Sequence, residues 1–340
     1  MTKKKLQAGV IGLHMGNGHC IGYRDNPHCE LAAICDLKPE TLADKQKLYS
    51  PRLATTDYRD LINDPELDII SVVTPDYFHA EQCIAALRAG KHVLCDKPLT
   101  LDLEEAKAII AEVERGQAKF MIGQVCRYAP GFMLAKRLVD QGMIGDLYFV
   151  ESEYAHHYGK ARGVDDWRVD PRREPVIGGG CHAIDLLRWI AGDVQKVTAL
   201  ANHKCLTDWP VNDCTVALLQ FADQVMGKVM VSIGCVRPYT MRTVLCGTEG
   251  TIICDNKNPE IEICSQKLMQ GKLEFAKLPV NIANHNVSGE IVDFVDCILN
   301  DRAVETNVYE GAKTVATALA AVKSAELGGL PVEVEDVMAK

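Results

Sequence analysis

Over the first 125 residues, short apolar runs alternate with helix-like segments, and few chain topologies accommodate that pattern. Leu6–Gly12, Leu31–Cys35, Leu67–Val73, His92–Cys95 and Phe120–Val125 are short and β-prone. Between them, Tyr77–Arg88 reads as a helix that Gly90 is placed to end. Leu103–Arg115 repeats Ala106, Ile109, Ile110 and Val113 at helical spacing, behind a capping box of Asp102 and Glu105. Parallel strands need long crossover connections, and helices supply them. The alternation therefore predicts an α/β, doubly wound parallel sheet.

Beyond about residue 125 the pattern changes. A helix at Pro130–Gln141 precedes strands at Leu147–Tyr154, Val197–His203, Cys214–Phe221, Val225–Cys235, Thr240–Cys246 and Thr251–Cys254. Turn signals at Ala222-Asp223-Gln224 and Gly247-Thr248-Glu249-Gly250 join some of these closely, which predicts hairpins. One helix interrupts, from about His182 to Ile190, and two follow late, Gly289–Leu299 and Gly311–Ala325. This half reads as an α+β domain with a large, mainly antiparallel sheet. Single cores stop growing at about 250–300 residues, so 340 residues predict two domains, 1–124 and 125–340.

The net charge of −9, from 37 basic and 46 acidic residues, supplies no basic footprint for nucleic acid or an anionic membrane. The basic run Lys3-Lys4-Lys5 precedes an apolar stretch too short for a signal peptide, and no run approaches the roughly 18 residues of a membrane span. The 14 cysteines include no C-x-x-C pair. They read as reduced, buried small hydrophobes in a cytoplasmic protein, with Cys35, Cys95, Cys235, Cys246 and Cys264 in apolar stretches; no metal is expected.

The first strand runs into Gly12-Leu13-His14-Met15-Gly16-Asn17-Gly18. Glycines here let the backbone turn tightly and approach a pyrophosphate, which then lies on the N-terminus of the following helix. Gly12, Gly16 and Gly18 suit this role, with His14 and Met15 in the turn and His14 where a second glycine is usual. Asp36 closes the next strand at about the 20-residue distance of a ribose-binding carboxylate. A helix cap is its other reading; the context favours the ribose. A carboxylate there repels a 2′-phosphate, so NAD is favoured, while Lys38 leaves NADP open.

Cys95-Asp96-Lys97-Pro98, with Thr74-Pro75, His79 and Gly90-Lys91-His92-Val93, resembles the Gfo/Idh/MocA family of sugar and polyol oxidoreductases, with Asp96 where the family carries glutamate. The likeness continues through Arg127-Tyr128-Ala129-Pro130, Gly142-Met143-Ile144-Gly145, Trp167-Arg168 and Gly178-Gly179-Gly180-Cys181-His182-Ala183-Ile184-Asp185. It implies a Rossmann domain, an open-faced antiparallel sheet domain, and hydride transfer between a nicotinamide and a sugar carbon. Gly178 stands where many members have an aspartate, so Lys97 and His182 would act without it.

The chemistry of these residue types agrees. Alcohol oxidation needs a base within reach of the hydroxyl and a positive group for the developing alkoxide. His182 suits the first role and Lys97 the second. Thr74, Pro75, His79 and Lys97 are expected along the cofactor; Lys97, Tyr128, His156, Trp167, Arg168, His182 and Asp185 along the substrate. Asp185 would orient His182 or bind a sugar hydroxyl. On a strand end His156 and Tyr158 share one side and His157 takes the other. The expected partner is a small sugar or polyol. Redox-neutral glycoside cleavage through transient oxidation, and a non-enzymatic nucleotide-sensing regulator, are the alternatives. Apolar strands at Val229–Ile233 and Val244–Cys246 suggest a homodimer or homotetramer through the second sheet.

Overall fold

Each apolar run of the first 125 residues forms a strand. In the computed structural model, which describes residues 5–159, 161–270, 272–281 and 285–339, they are β1 (Leu6–Ile11), β2 (Cys29–Cys35), β4 (Ile69–Val72), β5 (His92–Asp96) and β6 (Phe120–Gly123), with a short β3 (Leu53–Thr55) at the edge. The helices between them are α1 (Asn17–Asp25), α2 (Pro39–Tyr49), α3 (Tyr58–Asn63), α4 (His79–Arg88) and α5 (Leu103–Arg115). All strand pairs are parallel and the order is β3-β2-β1-β4-β5-β6, a doubly wound sheet. Strands β4 and β6 are buried at every position, as strands covered on both faces must be. The Asp102 carboxylate accepts from the Glu105 N–H at 2.9 Å, capping α5, and Gly90 has φ +75° just past α4.

The second sheet has nine strands. Helix α6 (Pro130–Asp140) leads into β7 (Leu147–Ala155). The short α7 (Pro175–Gly178) and α8 (Cys181–Ala191) follow, then β8 (Lys196–Asn202), β9 (Cys214–Gln220), β10 (Met226–Ser232), β11 (Arg242–Gly247), β12 (Gly250–Asp255), β13 (Glu260–Ser265), the short α9 (Gln266–Met269) and β14 (Ala276–Pro279). After α10 (Val287–Leu299) and α11 (Val308–Glu326) come β15 (Val332–Glu333) and α12 (Val334–Met338). The sheet order is β14-β13-β12-β11-β7-β10-β9-β8-β15, and every pairing but β7 with β10 is antiparallel.

Helices α6, α7 and α8 cover one face of this sheet. Val229, Val231 and Ile233 point to that covered face and are buried within the chain, so they do not form the apolar surface expected of them. The other face is open. Leu200 pairs with Val216 and Gln220 with Met226, and Leu200, Val216, Leu218 and Met226 all stand exposed there. Cys246 and Cys264 sit on the same alternation as half-exposed residues, and Cys235 is half-exposed too; of the five named cysteines only Cys35 and Cys95 are buried. All 14 cysteines are free thiols.

The division of the chain differs from a single cut near residue 125. One unit comprises residues to Val125 together with Asn286–Ala312; the other comprises Cys126–His285 and the residues from Lys313 onward. Helix α10 belongs to the first because its apolar stripe completes that core. Ile291, Phe294 and Val295 are buried with Leu13, Tyr23 and Ile34, and α10 lies along α1. The periodicity of α10 marks an apolar face without marking which core receives it.

Candidate functional site

Within the first unit, the turn from β1 to α1 needs its glycines. Gly12 has φ +87°, and a Cβ there would lie 2.4 Å from the Val73 carbonyl oxygen; one on Gly16 would lie 2.0 Å from that of Gly12. Gly18 has only ordinary contacts around a Cβ, so glycine is not demanded there. Helix α1 starts at Gly16 without a side-chain cap, which leaves its first N–H groups for an anion. Asp36 sits beside the turn: its Oδ2 accepts from the Leu13 N–H at 2.8 Å and its Oδ1 from the Lys38 N–H at 2.9 Å. Two of the roughly four acceptor positions of a carboxylate are then used. The remainder can take ribose hydroxyls. A cradle closed to side chains, a bare helix start and a fixed carboxylate together fit a dinucleotide. His14 and Met15 are exposed on the turn.

At the ends of β4 and β5, the Thr74 hydroxyl donates to Gln82 Oε1 at 2.8 Å. His79 is fully buried, its Nδ1 2.9 Å from the Pro98 carbonyl and its Nε2 3.0 Å from that of Thr74. The ring ties the Thr74-Pro75 and Lys97-Pro98 turns together and offers no face to a ligand, unlike the cofactor contact expected of it. Lys97 is half-buried, its peptide bond to Pro98 is cis, and its N–H donates to Asp96 Oδ1 at 2.9 Å.

In the second unit α8 is buried almost all round, from Cys181 to Ile190 with Trp189 half-exposed. Its entry is crowded: Cβ atoms on Gly179 and Gly180 would lie 2.6 Å from the Tyr154 ring and the Val231 side chain. A Cβ on Gly178 would lie 2.4 Å from the Arg173 guanidinium carbon, so arginine fills the side-chain space at that position. His182 is buried, with Nδ1 3.4 Å from the Cys126 thiol. Asp185 neither orients His182 nor faces solvent. Arg127 grips both its oxygens at 2.8 and 2.7 Å, Thr314 donates to Oδ1 at 3.3 Å, and the carboxylate is 1% exposed. This is a buried, bidentate ion pair that anchors α8.

Around His182 stands an aromatic shell. Its ring stacks on Tyr154 at 6.1 Å between centroids and lies 5.3 Å from His285. Tyr239 packs on Tyr154, His156 and His285, and its hydroxyl lies 3.2 Å from His285 Nε2. Tyr154 and Tyr158 share a hydroxyl contact of 3.1 Å. His156 and Tyr158 do share one side, 5.0 Å apart, while His157 is exposed. Burial, with the Arg168 charge adding to it, holds His156 below the usual imidazole range. Two guanidinium groups lie near the Trp167 ring, Arg173 at 4.6 Å and Arg168 at 5.1 Å, and Arg168 also covers Tyr158 at 5.6 Å. Tyr128 is half-buried at the start of this unit. Tyr154, Tyr239, His285 and Arg173 escaped the sequence reading because they come from four distant segments with no local pattern. Among the described residues no cluster of His, Cys, Asp and Glu could hold a metal ion, and no helix is long and apolar enough to cross a membrane.

A dinucleotide-type unit joined to an open-faced sheet unit with a histidine in an aromatic shell defines a class of nicotinamide-dependent oxidoreductases. Two family profiles match: "Oxidoreductase family, NAD-binding Rossmann fold" over residues 6–124 and "GFO/IDH/MocA C-terminal domain" over 132–253. The chain belongs to the Gfo/Idh/MocA family and is an NAD-dependent oxidoreductase. It is 29% identical to the levoglucosan dehydrogenase of Pseudarthrobacter phenanthrenivorans over 58% of this chain and 54% of that protein. It is 28% identical to the myo-inositol 2-dehydrogenase of Thermotoga maritima over 74% of this chain and 75% of that one. It is 26% identical to the uncharacterized oxidoreductase YrbE of Bacillus subtilis over 98% and 97%. Its fold matches a levoglucosan dehydrogenase solved with NADH and L-sorbose, with a TM-score of 0.88 over 97% of this chain and 99% of that one at 24% identity.

Proposed function

We propose that the protein oxidises a secondary alcohol of a sugar, polyol or sugar derivative, reversibly, with His182 as general acid/base and Lys97 binding the reacting oxygen. The observation that carries the reading is His182, buried on α8 against Tyr154 and His285. A titratable ring set among aromatic and polar groups suits removal of a hydroxyl proton and stacking on a sugar face. Lys97, at the carboxyl end of β5 where ligands bind in open α/β sheets, supplies positive charge to the oxygen as the proton leaves. NAD, when bound, supplies the hydride acceptor. Gly12, Gly16, Asp36, Thr74 and Pro75 would hold it, with the 2′-hydroxyl of its ribose on Asp36. The sugar- and polyol-named dehydrogenases among the relatives support this substrate class.

The test is a panel of sugars, inositols and glycosides with NAD or NADP, followed by NADH absorbance and mass spectrometry of products. NADH with a ketone product is expected. Product without NADH would replace oxidation by redox-neutral cleavage. Lys97→Ala and His182→Ala should each lower turnover about 10²–10⁴-fold while NAD still binds by calorimetry; unchanged turnover would sink the assignment.

We propose further that the open sheet face pairs with a second copy, as a dimer or tetramer. Leu200, Val216, Leu218 and Met226 place exposed apolar side chains on adjacent strands there.

A further inference from the structure

An imidazole that takes a proton through one ring nitrogen must carry hydrogen on the other, and the partner of that second nitrogen selects the tautomer. A carboxylate usually plays this part. Near His182 two positions could supply one, and neither does so. Gly178 has no side chain, and Asp185 is gripped by Arg127 and approached by Thr314. The ring nonetheless meets a polar side chain at Nδ1. Cys126, which follows β6 in the chain, brings its thiol to 3.4 Å from that nitrogen. Met241, just before β11, brings its Sδ to 3.6 Å from the same thiol. Cys126, His182 and Met241 are all buried.

The other neighbours of the ring act differently. Tyr154 stacks on it with 19° between the planes, and His285 lies tilted at 5.3 Å. A stack restrains the tilt of a ring and is indifferent to which nitrogen lies on which edge. A hydrogen bond to Nδ1 distinguishes the two edges. A thioether can only accept, so the contact with Met241 is a hydrogen bond when the Cys126 S–H donates to it. The lone pairs of the Cys126 sulfur then face His182 Nδ1.

We propose that Cys126 is the positioning residue of His182: its sulfur accepts from Nδ1–H and so leaves the lone pair for proton transfer on Nε2. The proposal rests on the dehydrogenase reading above, in which His182 is the general acid/base, and adds the group that sets its tautomer. A thiol orients the ring without placing a second negative charge in a buried shell, which would carry a desolvation cost. As the ring takes up the hydroxyl proton, the bond from Nδ1–H to sulfur becomes charge-assisted and strengthens.

The experiment has two readouts on the NAD-bound protein: nitrogen NMR of ¹⁵N-histidine-labelled chains, with the His182 signals assigned by their loss in His182→Gln, and steady-state turnover on the sugar or polyol that the panel above identifies. Wild-type His182 should show hydrogen on Nδ1 in its neutral form. In Cys126→Ala it should shift toward hydrogen on Nε2, and kcat should fall roughly tenfold or more with KM little changed. Cys126→Ser keeps an acceptor and should restore both the tautomer and most of the turnover. Cys254→Ala, which removes a buried thiol on β12, should alter neither. If circular dichroism shows Cys126→Ala to be unfolded, Cys126→Val, which removes the acceptor and keeps most of the volume, takes its place. A wild-type ring with hydrogen on Nε2, or a tautomer that the alanine or valine variant leaves unmoved, overturns the proposal. A tautomer that shifts as expected while turnover stays at the wild-type rate would keep the hydrogen bond and sink the assignment of His182 as acid/base.

Discussion

Asp185 and Glu290 are both buried acids, and they solve burial in opposite ways. Asp185 stays paired: Arg127 holds both oxygens in a region closed to water. Removing one partner strands the other charge, a cost of about 3–5 kcal/mol. Urea denaturation of Asp185→Ala should show a loss of that size. The double variant Arg127→Met with Asp185→Leu should recover most of it, because Arg127 is then not left buried without its partner. Glu290, 1% exposed on α10, has an Oε1 without a hydrogen-bond partner among the described residues. Burial, with the charges of Asp96 and Asp293 adding to it, holds its carboxyl well above the usual range, which favours the neutral acid in the fold. The folded state keeps this proton where the unfolded chain releases it. The contribution to stability is therefore full below the ordinary glutamate range and is lost as pH rises toward the folded value, by at most about 1.4 kcal/mol per pH unit. Glu290→Gln should be more stable than the wild type at pH 8, with the difference closing toward pH 4. A constant difference across that range would refute the neutral assignment.

The β1–α1 turn combines a positive-φ glycine with two close backbone approaches. Gly12→Ala forces a strained φ and a clash with Val73, so NAD affinity in a calorimetric titration should fall at least tenfold. Affinity equal to the wild type would show that the turn does not hold the cofactor. This turn and α5 were legible in the sequence because their signals are local: glycines after an apolar strand, and a cap before a periodic stripe. Other elements were not. Helix α2 has a single buried residue, Leu42, so no apolar stripe announced it. Strand β13 alternates Glu260 and Glu262 with Ile261 and Ile263, and β14 is only Ala-Lys-Leu-Pro, so neither offers the continuous apolar run that marks the other strands. His182 was named through the family motif, whereas its neighbours Tyr154, Tyr239 and His285 meet only once the sheet has folded. Asp185 belongs to the same motif as His182, which places it near that ring but cannot show the competing arginine at 127.

For the molecule as a whole, the alternation of the first half and the strand-rich second half gave both sheets, while the apolar face was misplaced. Strand β10 carries apolar residues on both faces, Met226 and Met230 on one and Val229 and Val231 on the other, and only the packing of α7 and α8 reveals which set is covered. The exposed set centres on Leu200, Val216 and Leu218. Leu218→Asp puts a charge at the middle of that face and should lower the mass seen in sedimentation toward that of a single chain, with the folded spectrum kept. An unchanged mass would place self-association elsewhere or rule it out.

The return of residues 286–312 to the first unit fixes an order of events on the ribosome. Helix α1, whose start is proposed to receive the pyrophosphate, leans on α10: a Cβ at Gly22 would lie 2.4 Å from Ile291. The early segment leaves the exit tunnel with part of its core exposed, and must wait while the whole Cys126–His285 stretch is synthesised. At roughly 5–20 residues per second that delay is on the order of ten seconds or more. A truncated polypeptide that stops short of α10 carries the dinucleotide fingerprint yet lacks the support beneath it, so retention of NAD becomes a mark of a chain that extends through α10.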